Sequence, residues 1–145
     1  MLVRDVLRTK GRRLFVTTPD SSVREAVNLL VEHNIGSLPV VDSEGHCIGI
    51  FTERDVLCGV AGDCDRYGRS SVGEVMTQHP SCCNLLDDIH EVMGKMSERR
   101  VGQLPVLDDD GRVTAVVSVG DLVRVLYESA QAENQQLYAY IYGGS

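Results

Sequence analysis

Apolar residues fall at helical spacing twice along this chain, in the same way each time. Val23, Ala26, Val27 and Leu30 recur at i, i+3, i+4 and i+7, and so do Ile89, Val92, Met93 and Met96. Each set predicts an amphipathic helix with one apolar face. Ser22 with Glu25, and Asp88 with Glu91, stand where an N-cap and its N3 acid belong. After each helix come a short apolar run (38–41 and 104–107), a turn carrying Gly45 or Gly111, and a second apolar run (48–51 and 113–117). That order predicts a hairpin in each half. A further helix follows, with Val56 and Leu57 as its buried positions in the first half and Leu122, Val123 and Leu126 in the second.

The chain is therefore written twice. Ile35-Gly36-Ser37-Leu38-Pro39-Val40-Val41-Asp42 returns as Val101-Gly102-Gln103-Leu104-Pro105-Val106-Leu107-Asp108, at an offset of 66 residues, the separation of Pro39 from Pro105. The same offset pairs Glu25 with Glu91, Glu32 with Glu98, Gly45 with Gly111 and Asp55 with Asp121. The predicted fold is α/β (α+β): two tandem β-α-β-β-α repeats. A unit of roughly 60 residues is marginal alone, so the repeats are expected to pack about a pseudo-twofold axis, with ligand sites in related pairs. Residues 1–68 hold the first repeat with an N-terminal segment, 69–128 the second, and 129–145 a tail helix with Leu137, Tyr138 and Ile141 at helical spacing. The stretch 59–71, rich in Gly, Asp, Arg and Ser, reads as an exposed connector. The tail is expected to dock on the module or on a partner.

Composition narrows the function classes. With 14 Lys and Arg against 21 Asp and Glu, the net charge of −7 argues against a phosphate-backbone binder, so no nucleic-acid partner is expected. No apolar run approaches the roughly 18 residues of a membrane span, and no membrane partner is expected. Five cysteines at no framework spacing, with no signal-like segment before them, favour free thiols in a reducing, cytoplasmic compartment. An organellar location is expected if a targeting segment has been removed. Cys82-Cys83 and the Cys58/Cys64 pair lack zinc-site spacing and read as buried small hydrophobes, so no metal is expected. Asp108-Asp109-Asp110-Gly111 lacks the alternating ligands of a calcium loop and reads as a turn. The four histidines stand near no nucleophile that the sequence can connect, which argues against an enzyme.

One pattern carries chemistry. In each half the second hairpin strand runs into a hydroxyl residue followed three positions later by an aspartate: Gly49-Ile50-Phe51-Thr52-Glu53-Arg54-Asp55 and Ala115-Val116-Val117-Ser118-Val119-Gly120-Asp121. Thr52 and Ser118 suit N-caps, with Asp55 and Asp121 as their N3 acids. The same geometry suits a nucleotide, because a helix N-terminus offers unpaired N–H groups to phosphate and a carboxylate there can take the ribose hydroxyls. The two readings are compatible.

These motifs, with Glu74-Val75-Met76-Thr77 before the second repeat, resemble those of cystathionine-β-synthase (CBS) domains arranged as the tandem pair called a Bateman module. The likeness spans about residues 3–127, and the tail from Leu137 to Gly144 is similar to that of small stand-alone CBS-pair proteins. The resemblance implies an adenine nucleotide (AMP, ADP, ATP, NAD(H) or S-adenosylmethionine) between the repeats as a regulatory ligand, with no cofactor required. It places Asp55 and Asp121 on the ribose, with Thr52 and Ser118 beside them. For the Asp121 site it adds Val116, Lys10, Gly11, Phe15, Ile35, Gly36 and Ser37; for the Asp55 site, Ile50, Met76, Thr77, Cys82, Val101 and Gly102. It also implies a homodimer.

Phosphates need cations, and Arg54, Arg99 and Arg100 are the candidates. Arg54 stands out because a cation in a first helical turn opposes the helix dipole and so hints at an anion. Arg99 and Arg100 sit in a last turn, where cations are favourable without any ligand. The repeats differ, with Ala115 in place of Gly49 and Gly120 in place of Arg54, so unequal sites are expected; Lys10-Gly11 favours the Asp121 site. The sequence thus predicts a non-catalytic module that reports energy or redox state to a protein partner. Its rival is a ligand-independent interaction adaptor in which the two motifs only cap helices.

Overall fold

Each hairpin closes on a glycine with positive φ, Gly45 at 85° and Gly111 at 83°, a conformation that L side chains seldom adopt. Ahead of each glycine an aspartate accepts two main-chain N–H bonds, Asp42 from Glu44 and His46, Asp108 from Asp110 and Arg112. The computed structural model describes residues 1–10 and 13–143. The hairpins are β1 (Ser37–Val41) with β2 (Cys47–Thr52), and β5 (Gln103–Leu107) with β6 (Val113–Ser118). Their registers match residue for residue at the repeat offset: Ser37 faces Thr52 as Gln103 faces Ser118, with an irregularity at Val40/Val41 and again at Val106/Leu107.

Helices α2 (Val23–His33) and α6 (Ile89–Arg99) precede the hairpins, as predicted. Ser22 caps α2 by accepting from the Glu25 N–H, whereas Asp88 accepts from His90 and not from the expected Glu91. Both helices end on a left-handed residue, Asn34 or Arg100, whose N–H closes the last turn. The hairpins lead into α3 (Glu53–Ala61) and α7 (Val119–Tyr138). The predicted opening strand of each repeat is short: a single parallel bridge from Thr17 to Val40 in the first, and β4 (Cys83–Asn84) parallel to β5 in the second.

The repeats exchange their leading segments. Helix α1 (Val3–Lys10) buries Val3, Val6 and Leu7 in the core of the second repeat, with Ile89, Met96, Leu104 and Leu122. The short α5 (Val72–Val75) puts Val72 into the first repeat's core, with Val23, Leu38 and Phe51. Main-chain bonds secure both exchanges: Val3 to Asp87 and Ile89 to Met1 on one side, Val72 to Ser21 and Val23 to Ser70 on the other. At the hairpin tips His46 bridges Arg112, and the Arg112 guanidinium donates to the Glu44 carbonyl at 2.9 Å.

Four expectations are corrected. The stretch 59–71 is not a bare connector, since α4 (Cys64–Arg69) forms within it and Tyr67 packs against the first core. Leu57 and Val123 are not buried; these equivalent positions are 72% and 53% exposed, because α3 and α7 turn them away from the sheets. Cys58 and Cys64 are exposed, and only Cys83 among the cysteines is fully buried. The tail continues α7 into a π-turn (Ala139–Gly143) and does not dock on the module: Leu137, Tyr138, Tyr140, Ile141 and Tyr142 are all exposed. No helix of the described residues is long and apolar enough to cross a membrane.

Candidate functional site

The chemistry-bearing motifs sit at the two strand-to-helix junctions, and both form complete capping boxes. Thr52 accepts from the Asp55 N–H while Asp55 Oδ2 accepts from the Thr52 N–H at 2.9 Å. Ser118 and Asp121 do the same, with Asp121 Oδ2 accepting from Ser118 at 2.9 Å. Each junction is tied to the preceding loop by one main-chain bond, Glu53 N–H to the Gly36 carbonyl (3.0 Å) and Val119 N–H to the Gly102 carbonyl (2.9 Å). The capping reading is thus satisfied at both places, and what distinguishes them is the other carboxylate oxygen.

Asp55 is half-buried, both bonds its carboxylate accepts, from the Thr52 N–H and hydroxyl, run to Oδ2, and Oδ1 has no partner among the described residues. Asp121 is 7% exposed, and its Oδ1 takes the Arg124 guanidinium at 3.3 Å. The first aspartate therefore keeps an acceptor available for a ligand. The second is buried and occupied.

Two clefts lie along the boundary between the repeats. The larger, about 670 Å³, brings together Ile50, Thr52, Arg54, Asp55, Thr77, Arg100, Val101 and Gly102 from the predicted Asp55 site. Met76 and Cys82 do not line it. Met76 packs on the first core, and Cys82 lies beyond Ser81, the last lining residue of that segment. Arg99 joins the wall, as do Glu53, Cys58, Gln78, His79, Pro80 and Ser81, which sequence reasoning did not find. Nothing in the sequence marks residues 78–81, which reach the cleft only because β3 (Thr77–Gln78) pairs with β2. Arg54, Arg99 and Arg100 have no carboxylate within ion-pair distance among the described residues, and all three line the cleft, where a guanidinium fork suits phosphate oxygens.

The smaller cleft, about 380 Å³, gathers Phe15, Ile35, Gly36, Ser37, Val116 and Ser118 from the predicted Asp121 site. Asp121 does not line it, in keeping with its burial, and Gly11 and the Lys10 side chain lie outside the described residues. Arg13, His33, Asn34 and Gln103 complete it. Phe15 and His33 stack with ring centroids 3.7 Å apart, and the Arg13 guanidinium stands over Phe15 at 5.2 Å. Ser37 is 4% exposed, and its Oγ has no partner among the described residues. A buried hydroxyl on a cleft wall without a partner is an open place for a ligand or a water.

The repeats are unequal in part for a reason unrelated to ligands. A Cβ on Gly49 would stand 2.9 Å from the Thr77 carbonyl and overlap the Met76 side chain. Ala115 occupies the equivalent place and is 3% exposed. The Gly49/Ala115 difference is one of packing.

Comparison with known proteins places this architecture. The family model described as CBS domain matches residues 3–62 and 72–128, the two repeats in turn. The chain belongs to the CBS-domain family. The CBS pair is 32% identical to the Arabidopsis thaliana protein named CBS domain-containing protein CBSX3, mitochondrial, over 98% of this chain and 72% of the relative. Among solved structures it resembles the CBS domain pair of protein MJ0100 in complex with 5′-methylthioadenosine and S-adenosyl-L-methionine, with a TM-score of 0.80 and 29% identity over 89% of this chain and 98% of that one. It also resembles CBSX2 in complex with AMP, with a TM-score of 0.77 and 27% identity over 89% of this chain and 98% of that one. This CBS pair shares their two-repeat fold.

Proposed function

We propose that this CBS pair is a non-catalytic regulatory module that holds an adenine nucleotide in the Asp55 cleft and reports energy or redox state to a protein partner. The observation that carries the reading is the junction at α3. There, among the described residues, Asp55 keeps one carboxylate oxygen unpartnered while three arginines without an ion pair, Arg54, Arg99 and Arg100, line the same 670 Å³ cleft. A carboxylate to accept ribose hydroxyls beside cations and a helix N-terminus to take phosphate is the donor and acceptor set of a nucleotide monophosphate or longer. AMP, ADP, ATP and NAD(H) all satisfy it. Related CBS pairs bound to AMP and to adenosine-containing sulfur compounds support the adenine preference. The Asp121 cleft is the weaker site in this reading, since its aspartate is already engaged by Arg124.

Signalling requires the nucleotide to prefer one arrangement of the repeats, because a ligand with equal affinity for two states shifts neither. The reading includes a homodimer, supported by the outward apolar pair Leu57 and Val123 at equivalent positions of α3 and α7. A reducing compartment, cytoplasmic or organellar, fits five unpaired thiols.

The test is thermal unfolding of nucleotide-free protein with AMP, ADP, ATP, NAD+, NADH, S-adenosylmethionine and GTP, each repeated on Asp55→Ala and Asp121→Ala. At 100 times its dissociation constant a ligand adds about 2.7 kcal/mol. An adenine-specific rise lost in Asp55→Ala and kept in Asp121→Ala is expected. No rise with any nucleotide would leave a ligand-independent adaptor, which both complete capping boxes already suit.

A further inference from the structure

Helix α7 outruns its counterpart in the first repeat. At the repeat offset Ala61, the last residue of α3, corresponds to Tyr127, yet α7 continues to Tyr138. The match to the CBS domain ends at residue 128, so the extension is an addition to the pair. From Tyr127 to Gly143 every residue except the half-buried Ser129 is exposed. A helical stretch of about a dozen residues is marginal in water unless one face of it is packed.

The extension carries a face suited to packing. Val123, Tyr127, Ala130, Asn134, Leu137 and Ile141 follow one another at alternating spacings of four and three, the d and a positions of a heptad, and all six are exposed. From Tyr127 to Ile141 the large apolar and aromatic side chains fall only at a, d, e and g: Tyr127, Leu137, Tyr138, Tyr140 and Ile141. Positions b, c and f hold only Glu, Ser, Ala and Gln over the same span. That sorting marks a covered seam with a solvated back.

We propose that this seam joins two copies of the chain as a short parallel coiled coil, in register, with Asn134 of each copy facing the other. The proposal rests on the homodimer of the reading above, whose surface it names, and on no nucleotide. Leu at d with Ile at a, as at Leu137 and Ile141, favours two strands, and a single Asn at an a position fixes register. In a parallel pair a faces a, so the two Asn134 amides bond to each other. In an antiparallel pair a faces d, which would set Asn134 against Ala130 or Leu137 with its amide unsatisfied. Charge agrees with the parallel arrangement: Glu133, at g, meets the e position five residues on, Tyr138 of the second copy, and no like charges face each other along the seam. Tyr127 keeps a hydroxyl partner when covered, because Gln131 of the same helix already donates to it at 2.7 Å. Aromatic side chains bury about 150–250 Å² each. Tyr127, Tyr138 and Tyr140, with Val123, Leu137 and Ile141, therefore approach the roughly 800 Å² per partner of a specific interface.

The experiment measures sedimentation equilibrium of the full chain and of Leu137→Glu, Asn134→Leu and Leu57→Glu. A dimer is expected, weakened at least about ten-fold by Leu137→Glu, an exposed position whose change leaves both cores intact. Asn134→Leu should tighten it, because a polar pair in a seam sets register at a cost in stability. Ala130→Cys and Leu137→Cys, each mildly oxidised and mapped by mass spectrometry, should both give copies linked through the introduced thiols. An antiparallel pair allows at most one of these two links, so a link at only one position would overturn the parallel register. A dimer unmoved by Leu137→Glu would overturn the seam, and its loss in Leu57→Glu would then leave the homodimer standing on another face. A chain that stays monomeric would overturn both, while the nucleotide response in thermal unfolding is read separately.

Discussion

Gln103 reaches Gly36 across the boundary between the repeats: a Cβ on the glycine would stand 2.7 Å from the Gln103 side-chain nitrogen. Both residues line both clefts, so this contact is the partition between them. It is also where one repeat senses the other, because Gly36 bonds to the start of α3 and Gln103 opens β5.

Gly36→Ala therefore tests the partition. The nearest neighbours of the new methyl are the far ends of the Gln103 and Glu53 side chains, which can move. The expected cost in denaturant unfolding is under about 1 kcal/mol, within the range of mild substitutions. Nucleotide affinity, measured by calorimetry, should change several-fold as Gln103 is displaced. A loss of stability with unchanged affinity would show that the contact is packing alone.

The two capping boxes should differ in energy. Thr52→Ala and Ser118→Ala each remove an N-cap and should cost about 0.5–2 kcal/mol. Asp121→Ala should cost more than Asp55→Ala, about 1.5–3 kcal/mol, because it strips a buried acceptor from the Ser118 N–H and leaves Arg124 without its partner. Equal losses in urea titrations would refute the distinction drawn between a buried, occupied aspartate and one with an oxygen to spare.

Tyr67 carries a buried hydroxyl with no hydrogen-bond partner among the described residues, and its ring lies against Gly59, where any Cβ would collide with it. Tyr67→Phe keeps the ring and removes the unsatisfied group, and should stabilise by about 1 kcal/mol. Burial, with the nearby Asp55 and Cys58 charges, pushes the phenol up to about 12 from 10. A group raised on folding gives stability that is full below its unfolded value and is lost as pH rises, here from 10 to about 12. The variant should lack that share of the alkaline loss in pH-dependent melting.

Asp42 supplies the opposite sign. Its carboxylate is held below 3.8 by the main-chain N–H of His46 first, then of Glu44. The stability this brings is present above 3.8 and disappears as pH falls through the lower folded value. Asp42→Asn should flatten the acid limb of urea midpoints taken between pH 6 and 2. An unaltered limb would mean that the turn tolerates protonation.

The repeat, its helices, its hairpins and both junction motifs were legible in the residues. Each depends on local rules: apolar spacing of 3.6 for Val23 to Leu30, a glycine where φ must be positive at Gly45, a hydroxyl and an acid three apart at Thr52 and Asp55. Those rules act within a few residues, and the 66-residue offset shows them acting twice. What lay beyond local rules was decided by packing. Val3, Val6 and Leu7 could have served either repeat, and only the assembled cores send them to the second. Leu57 and Val123 have apolar side chains at helical spacing yet stay exposed, because the faces that the cores cover are those of Val56 on α3 and of Leu122 and Val125 on α7. Residues 78–81 reach the cleft through a strand pairing with no pattern of its own. Asp55 and Asp121, alike in sequence, part company because Arg124 stands one turn beyond Asp121, where Asp55 has the exposed Cys58. Burial and a partner's reach are properties of three dimensions, and they decide which aspartate keeps a free oxygen.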